Sequence, residues 1–241
     1  MTFILTRLAF FFFLCAFVRS TGHAAAEDAV KLDEVGVTGA REAAPAKESP
    51  VTVNTLKTKE IKSVKPAHPS EAMNRLPGVW INSTGGEGHT TAIRQPLTTS
   101  PVYLFLEDGV PVRSTGFFNH NALYEVNIPG AERIEVIKGT GTALYGSDAI
   151  GGTVNVMTRP APLRPEMEFN PETGSFGWWR TLLSAGNTWG SNGLRGDVNV
   201  THSDGWRERK TYDRRSFTLR WDRITGASSL KTVASYSNID Q

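Results

Sequence analysis

The chain has 241 residues, 39% hydrophobic and 21% charged, with 23 Gly and 13 Pro. That balance excludes a disordered or collagen-like chain, and the glycine content points to turns and strands over an all-helical fold. Arg7 and Arg19 are the only charged residues among the first 26, so the overall +2 lies there and the rest balances at zero, which argues against a nucleic-acid-binding face.

The N-terminus reads as an export signal. Arg7 precedes an apolar run of eleven residues from Leu8 to Val18, and Ala24-Ala25-Ala26 offers a small-residue site, so cleavage is expected before Glu27. The run is too short for a spanning helix, which needs about 20 residues. Cys15, the only cysteine, falls inside it, so the mature part of this chain would hold no disulfide and no thiol. No other stretch is apolar enough to cross a bilayer as a helix, so any membrane part must cross as strands.

Residues 27–49 are rich in Ala, Glu and Lys and read as a flexible segment. Within it, Glu34-Val35-Gly36-Val37-Thr38 alternates like a short strand. Two readings stand at this point: an idle linker, or a free strand able to pair with a partner's sheet edge.

Residues 50–160 predict an α+β domain. Val51–Val53, Val79–Ile81, Val102–Leu106, Ile134–Ile137 and Thr153–Met157 read as strands, and Asp108-Gly109 as a hairpin turn. Thr58 and Ser70 stand where helix N-caps belong, followed by Glu60 and Glu71. Strands and short helices mix without a regular βαβ repeat. Residues 159–171 carry four prolines and read as a junction.

The remainder, residues 161–241, changes pattern. Leu194, Gly196, Val198 and Val200 alternate with Arg195, Asp197, Asn199 and Thr201; Phe217, Leu219 and Trp221 alternate with Ser216, Thr218, Arg220 and Asp222. Turns fall at 190–193, 203–205 and 225–226. This fits transmembrane strands, apolar toward lipid and polar toward a lumen, and equally one half of a soluble antiparallel sandwich.

Little in the chain speaks for catalysis. Gly139-Thr140-Gly141 lacks the Gly-Lys-Ser/Thr ending of a phosphate loop. The five histidines show no metal-ligand spacing, and Ser147 lacks the context of an activated nucleophile. Neither enzyme activity nor a cofactor is expected. One loop stands out: Phe117-Phe118-Asn119-His120, beside Arg113 and Tyr124. Two adjacent Phe in a polar loop are covered either by the domain core or by a ligand.

At this point the chain resembles the TonB-dependent outer-membrane receptors. The resemblance rests on Ser70-Glu71-Ala72-Met73-Asn74-Arg75-Leu76-Pro77-Gly78-Val79, on Ala92-Ile93-Arg94, and on Leu106-Glu107-Asp108-Gly109-Val110-Pro111. The longest stretch is Glu132 to Gly139, continued by Ala143–Ser147 and Ala149–Val156. The resemblance implies a plug domain followed by the first antiparallel transmembrane strands of an incomplete 22-stranded β-barrel. Its domains would be a signal peptide (1–26), a flexible segment with the TonB box (27–49), the plug (50–160) and the start of the barrel (161–241).

The same resemblance implies site residues and partners. Glu34, Val35, Gly36, Val37 and Thr38 would be the TonB box, paired in the periplasm by TonB with its inner-membrane energising complex. Arg94 matches the position that ties plug to barrel wall through carboxylates; Glu132, Arg133, Glu135 and Lys138 belong to the same expected plug–barrel contacts. Lys138 stands where the family has Arg, a point charge in place of a bidentate fork. Gln95, Arg113, Phe117, Phe118, Asn119 and His120 are the candidates for the outward ligand apex. The implied function is uptake of a metal chelate, foremost a ferric siderophore, across the outer membrane of a Gram-negative bacterium, in contact with outer-membrane lipid. Cobalamin, haem or a soluble periplasmic binding protein built on the plug are the alternatives. About 22 strands of about 9–11 residues need far more chain than follows Pro171, so a truncated receptor or a fragment is expected.

Overall fold

The computed structural model describes residues 51–112, 122–208 and 210–241, together with the backbone of two short strands, β1 (Val35–Gly36) and β2 (Ala44–Pro45). Those two pair antiparallel, Val35 opposite Pro45 and Gly36 opposite Ala44. The leader and residues Glu34, Val37, Thr38, Arg113, Phe117, Phe118, Asn119 and His120 lie outside the described residues.

The first body is built on a five-stranded mixed sheet. Its strands are β3 (Thr52–Lys57), β6 (Tyr103–Glu107), β7 (Val110–Pro111), β8 (Ala131–Lys138) and β9 (Gly152–Thr158), in the order β3-β8-β9-β6-β7. Only β6 and β9 run parallel. Val102–Leu106 reads as an unbroken apolar run because β6 is covered on both faces. Tyr103 and Phe105 join a large core with Ile61, Met73, Ile93, Leu123, Ile134 and Val154, while Leu104 and Leu106 pack with Ala149 on the other side. The Asp108-Gly109 turn joins β6 to β7 with positive φ at both residues (49° and 83°), the backbone of a type I′ hairpin.

A separate hairpin, β4 (Val79–Gly85) with β5 (Gly88–Ile93), leans on this sheet. Two polar clips hold it. The Tyr103 hydroxyl accepts the Ile93 N–H at 3.0 Å, and the Asn74 side chain bonds both the N–H and the carbonyl of Ile81. Helices α1 (Thr58–Val64), α2 (Pro69–Met73) and the single turn α3 (Thr142–Tyr145) complete the body. Both expected caps move by one or two residues. Lys57 precedes α1, its N–H donating to the Glu60 carboxylate at 2.8 Å, and leaves Thr58 free to bond the Glu132 carbonyl. His68, not Ser70, caps α2, because Pro69 fills the first helical position and the imidazole accepts the Ser70 N–H.

The second body is an antiparallel meander of five strands: β10 (Glu166–Thr173), β11 (Trp179–Trp189), β12 (Asn192–Ser203), β13 (Tyr212–Thr225) and β14 (Ser228–Asp240). Strand β10 begins inside the proline-rich stretch, and Pro171 fits because β10 is an edge strand. One end carries the two-residue turns 190–191 and 226–227; the other carries the longer connections 174–178 and 204–211. The α+β domain and the antiparallel strands are therefore present as expected, and the five strands do not close on themselves.

Register decides what each face of this sheet presents. Phe169, Leu183, Val198, Phe217 and Tyr236 stand side by side across all five strands, on the face turned away from the first body. The next residues along, Glu168, Ser184, Asp197, Thr218 and Ser235, form the matching row on the opposite face. The first row is largely exposed, with Phe169 66% and Tyr236 61% accessible, whereas Ser184, Asp197 and Thr218 are buried. A one-residue slip would exchange the two faces.

Candidate functional site

The polar face of the meander closes over the α+β body, and arginines carry the contact. Arg214 on β13 sends Nη2 to the Val126 carbonyl at 2.5 Å and Nη1 to Glu87 Oε2 at 3.2 Å. Arg180 on β11 donates to the Pro66 carbonyl at 2.7 Å, pairs with Glu172 and lies over the Trp178 ring. Arg220 donates to the Thr158 carbonyl at 2.5 Å and pairs with Asp222. Each accepting carbonyl sits where an element of the first body ends. An arginine of the meander adds a bond to each of them while its own charge stays paired.

Arg159, at the exit from the first body, is the most connected of these residues. It donates to the Gly130 carbonyl at 3.2 Å, to Glu168 at 2.8 Å, and to Ser184 Oγ and Asp197 Oδ1, both at 2.6 Å. Glu168 also receives Lys62 from α1 at 2.7 Å. Toward the two-residue turns, Lys231 pairs with Asp108 at 3.1 Å and the Ser235 hydroxyl donates to Glu107 at 2.7 Å. Burial holds the Glu107 carboxyl above its ordinary value, more than the Ser235 bond lowers it. A cleft of about 560 Å³ opens beside this contact, lined by Glu107, Val110, Glu125, Val233 and Ser237.

At the end with the longer connections, three segments of the first body meet the wall around Glu87. The Glu87 carbonyl lies 2.9 Å from His89 Nδ1 and 3.4 Å from His68 Nε2. The rings of His68, His89 and Tyr124 stack edge-on in sequence, with centroids 5.7 Å and 6.4 Å apart.

The residues singled out from sequence fall into two groups here. Arg133 pairs with Glu132 at 3.0 Å and with buried Glu135 at 2.7 Å, all on β8. Arg94 and Lys138 share a patch beside Pro77 and Gly78. The Arg94 N–H donates to the Gly78 carbonyl at 2.9 Å with φ at +55°, while Lys138 Nζ bonds the Pro77 carbonyl. Burial, and then the neighbouring Arg94 charge, hold the Lys138 amine below its ordinary value. Among the described residues neither cation has an ion pair. Gln95 is exposed and packs so close to Gly151 that a Cβ there would lie 2.9 Å from its Nε2.

Sequence reasoning named the polar parity of β12 and β13 but did not single out Arg159, Arg180, Arg214 or Glu87. The parity itself was the available signal for Arg214, two steps before Ser216 on the same face. Nothing local marks Arg159 or Glu87, whose partners lie on other strands.

A family model for the TonB-dependent receptor plug domain matches residues 45–153. A vitamin B12 transporter, BtuB, from Vibrio vulnificus is 36% identical over 129 residues, covering 52% of this chain and 20% of that protein. The BtuB of Photobacterium profundum is 32% identical over 186 residues, covering 77% of this chain and 30% of that one. The chain thus spans between a fifth and a third of these relatives' length. Among solved structures, the alcaligin outer-membrane receptor FauA of Bordetella pertussis superposes with a TM-score of 0.70 at 16% identity, covering 86% of this chain and 35% of the receptor. The pyoverdine receptor FpvA of Pseudomonas aeruginosa gives a TM-score of 0.68 at 18% identity, covering 83% and 29%. These superpositions cover the meander as well as the first body, so the two share their fold with the same solved structures.

Proposed function

We propose that the chain belongs to the TonB-dependent receptors through its plug domain, and that it is the plug and first wall of an outer-membrane transporter for a metal chelate. The sheet continues, in this reading, through further strands of the same polypeptide toward a barrel of about 22, a lumen that needs a plug. The observation that carries the proposal is the two-sidedness of the meander. Its Phe169–Tyr236 row is apolar and turned away from the plug, whereas its arginine face is bonded to plug carbonyls.

The spacing of the outward aromatics supports a lipid-facing band. Trp179 and Trp189 stand at opposite ends of β11, ten steps apart, or about 33 Å along the strand. At a tilt of about 40° that is about 25 Å of height, the thickness of an outer-membrane apolar belt. Long connections at one end and two-residue turns at the other match extracellular loops and periplasmic turns. The Glu87 end of the plug then faces outward, and the Asp108 end faces the periplasm.

In this account Glu34–Thr38 is the TonB box, and force enters through its main-chain hydrogen bonds. The patch of Arg94 and Lys138 is the plug's contact for carboxylates of further wall strands. Cargo meets the loop carrying Arg113, Phe117, Phe118, Asn119 and His120, with Gln95. The cargo first favoured by the resemblance is a ferric siderophore. A corrinoid is the second reading, and the identity of the chain to two vitamin B12 transporters favours it.

The discriminating experiment expresses the full-length receptor carrying this chain in a host lacking its own receptors. Uptake of radiolabelled ferric siderophores and of radiolabelled cyanocobalamin is then compared. Energised uptake of either class supports the transporter reading and names the cargo; uptake of neither contradicts it.

A further inference from the structure

His68 lies where the plug meets the wall, and its two ring nitrogens have different partners. Nδ1 accepts the Ser70 N–H at 3.1 Å and lies 2.8 Å from Ser70 Oγ, whereas Nε2 lies 3.4 Å from the Glu87 carbonyl. An acceptor at Nδ1 and a donor at Nε2 describe the neutral imidazole with its proton on Nε2, an assignment made from the hydrogen-bond network. The groups facing it come from every neighbouring element. Glu71 is on its own helix; Glu87 and His89 are on the β4–β5 hairpin; Tyr124 stands behind His89; Arg214 reaches in from β13.

Glu87 is the shared residue: its backbone carbonyl faces His68, which also feels the charge of its carboxylate, and the carboxylate itself contacts Arg214. It pairs with Arg214 at 3.2 Å, with both side chains only 4% exposed. A charged His68 would disturb this arrangement in two ways. It loses the lone pair that caps α2 and places positive charge at a helix N-terminus, where charge of that sign is unfavourable. It also sets a second cation beside Glu87, in competition with Arg214 and repelled by it.

We infer that His68, Glu87 and Arg214 form a proton-operated clasp between plug and barrel wall, closed while the imidazole is neutral and loosened when it is charged. Burial, opposed by Glu87 and Glu71 and reinforced by Arg214, lowers the His68 pKa below the ordinary 6.5. The closed clasp thus binds a proton less readily than the opened one. Its stabilising effect is complete above 6.5 and is lost progressively as pH falls from there toward the depressed value.

Hydrogen exchange on the full-length receptor tests this, with peptides covering 66–70 and 85–90 compared at about pH 7.5 and about pH 5.5, across the histidine range. After correction for intrinsic exchange, protection in the wild type should fall severalfold between the two pH values, because the opened state takes up a proton that the closed one resists. His68→Asn cannot titrate but remains a good N-cap, and its protection should stay level. Wild-type protection that stays level, or an equal fall in His68→Asn, overturns the clasp. Should His68→Asn fail to assemble, exchange of the His68 C2 hydrogen in the wild type reads its pKa directly. A depressed value supports the neutral clasp, and one at or above 6.5 overturns it. Plug protection is read without transport, so these outcomes are separate from any failure of uptake.

Discussion

At the scale of single residues, the contact between the plug and the meander rests on the buried Arg159, Arg180 and Arg214, each with several partners. Arg159 is the clearest case, with four partners from both bodies. Removing the Arg159 guanidinium takes a donor from the buried Gly130 carbonyl and leaves Glu168 with Lys62 and Asp197 with Arg195 as remaining cations, a loss of at most about 3–5 kcal/mol. Arg159→Ala should therefore lower the urea midpoint of plug unfolding in the full receptor, and Arg159→Lys should recover little of it, because a single ammonium cannot reproduce the fork. An unchanged midpoint in Arg159→Ala would contradict the role. Glu107 gives a prediction with the opposite pH sense to His68. Its carboxyl is held above the ordinary value of 4.5 chiefly by burial, so the folded state carries a cost once the group ionises. Glu107→Gln should stabilise the plug at neutral pH. The gain should shrink as pH falls through the folded-state pKa and vanish below 4.5, where the Glu107 carboxyl is protonated in the folded and unfolded states alike. Thermal melts of the two proteins at neutral and acid pH check the sign.

At the scale of elements, the turns and the alternation were legible and the contacts were not. Asp108-Gly109 announced its hairpin because few other pairs tolerate positive φ at both positions. Gly109→Val should accordingly loosen the β6–β7 turn by about 1–3 kcal/mol through strain alone, since no atom lies within 4 Å of where its Cβ would stand; hydrogen exchange at Val112, whose N–H bonds Phe105, would register it. Strands β12 and β13 were readable from their strict alternation. Strand β11 was not: Thr181 and Asn187 share its outward parity while Leu182 faces inward and is buried, which blurs the contrast. Strand β10 was hidden by prolines that its edge position accommodates. His68 was passed over as a cap because Ser70 is the better intrinsic N-cap. Pro69 overrides that preference by fixing where the helix begins. At the same scale, Val35→Pro in β1 removes a main-chain donor from the proposed box. Uptake should fail while cargo still binds at the cell surface, and retained uptake would remove the box from this segment.

At the scale of the whole molecule, the plug and the meander explain each other. Among the described residues the five strands have no second sheet over their apolar face, and the plug occupies the polar one. A soluble sandwich would need the reverse, apolar rows turned inward. The arrangement makes sense when lipid covers Phe169, Leu183, Val198, Phe217 and Tyr236. Phe217→Arg, near the centre of that row, should then cost about 2–4 kcal/mol of membrane stability and reduce the amount of receptor recovered in the outer membrane.

Parity of lipid contact along β12 and β13 tests the central claim most directly. Single cysteines are placed in turn at Val198, Phe217 and Leu219, and at Asn199, Ser216 and Thr218, each carrying a fluorophore, in full-length receptor reconstituted with brominated lipid. The account predicts strong quenching at the first three positions and little at the second three. Equal quenching in both sets, or full accessibility of the first set to a water-soluble quencher, would contradict it.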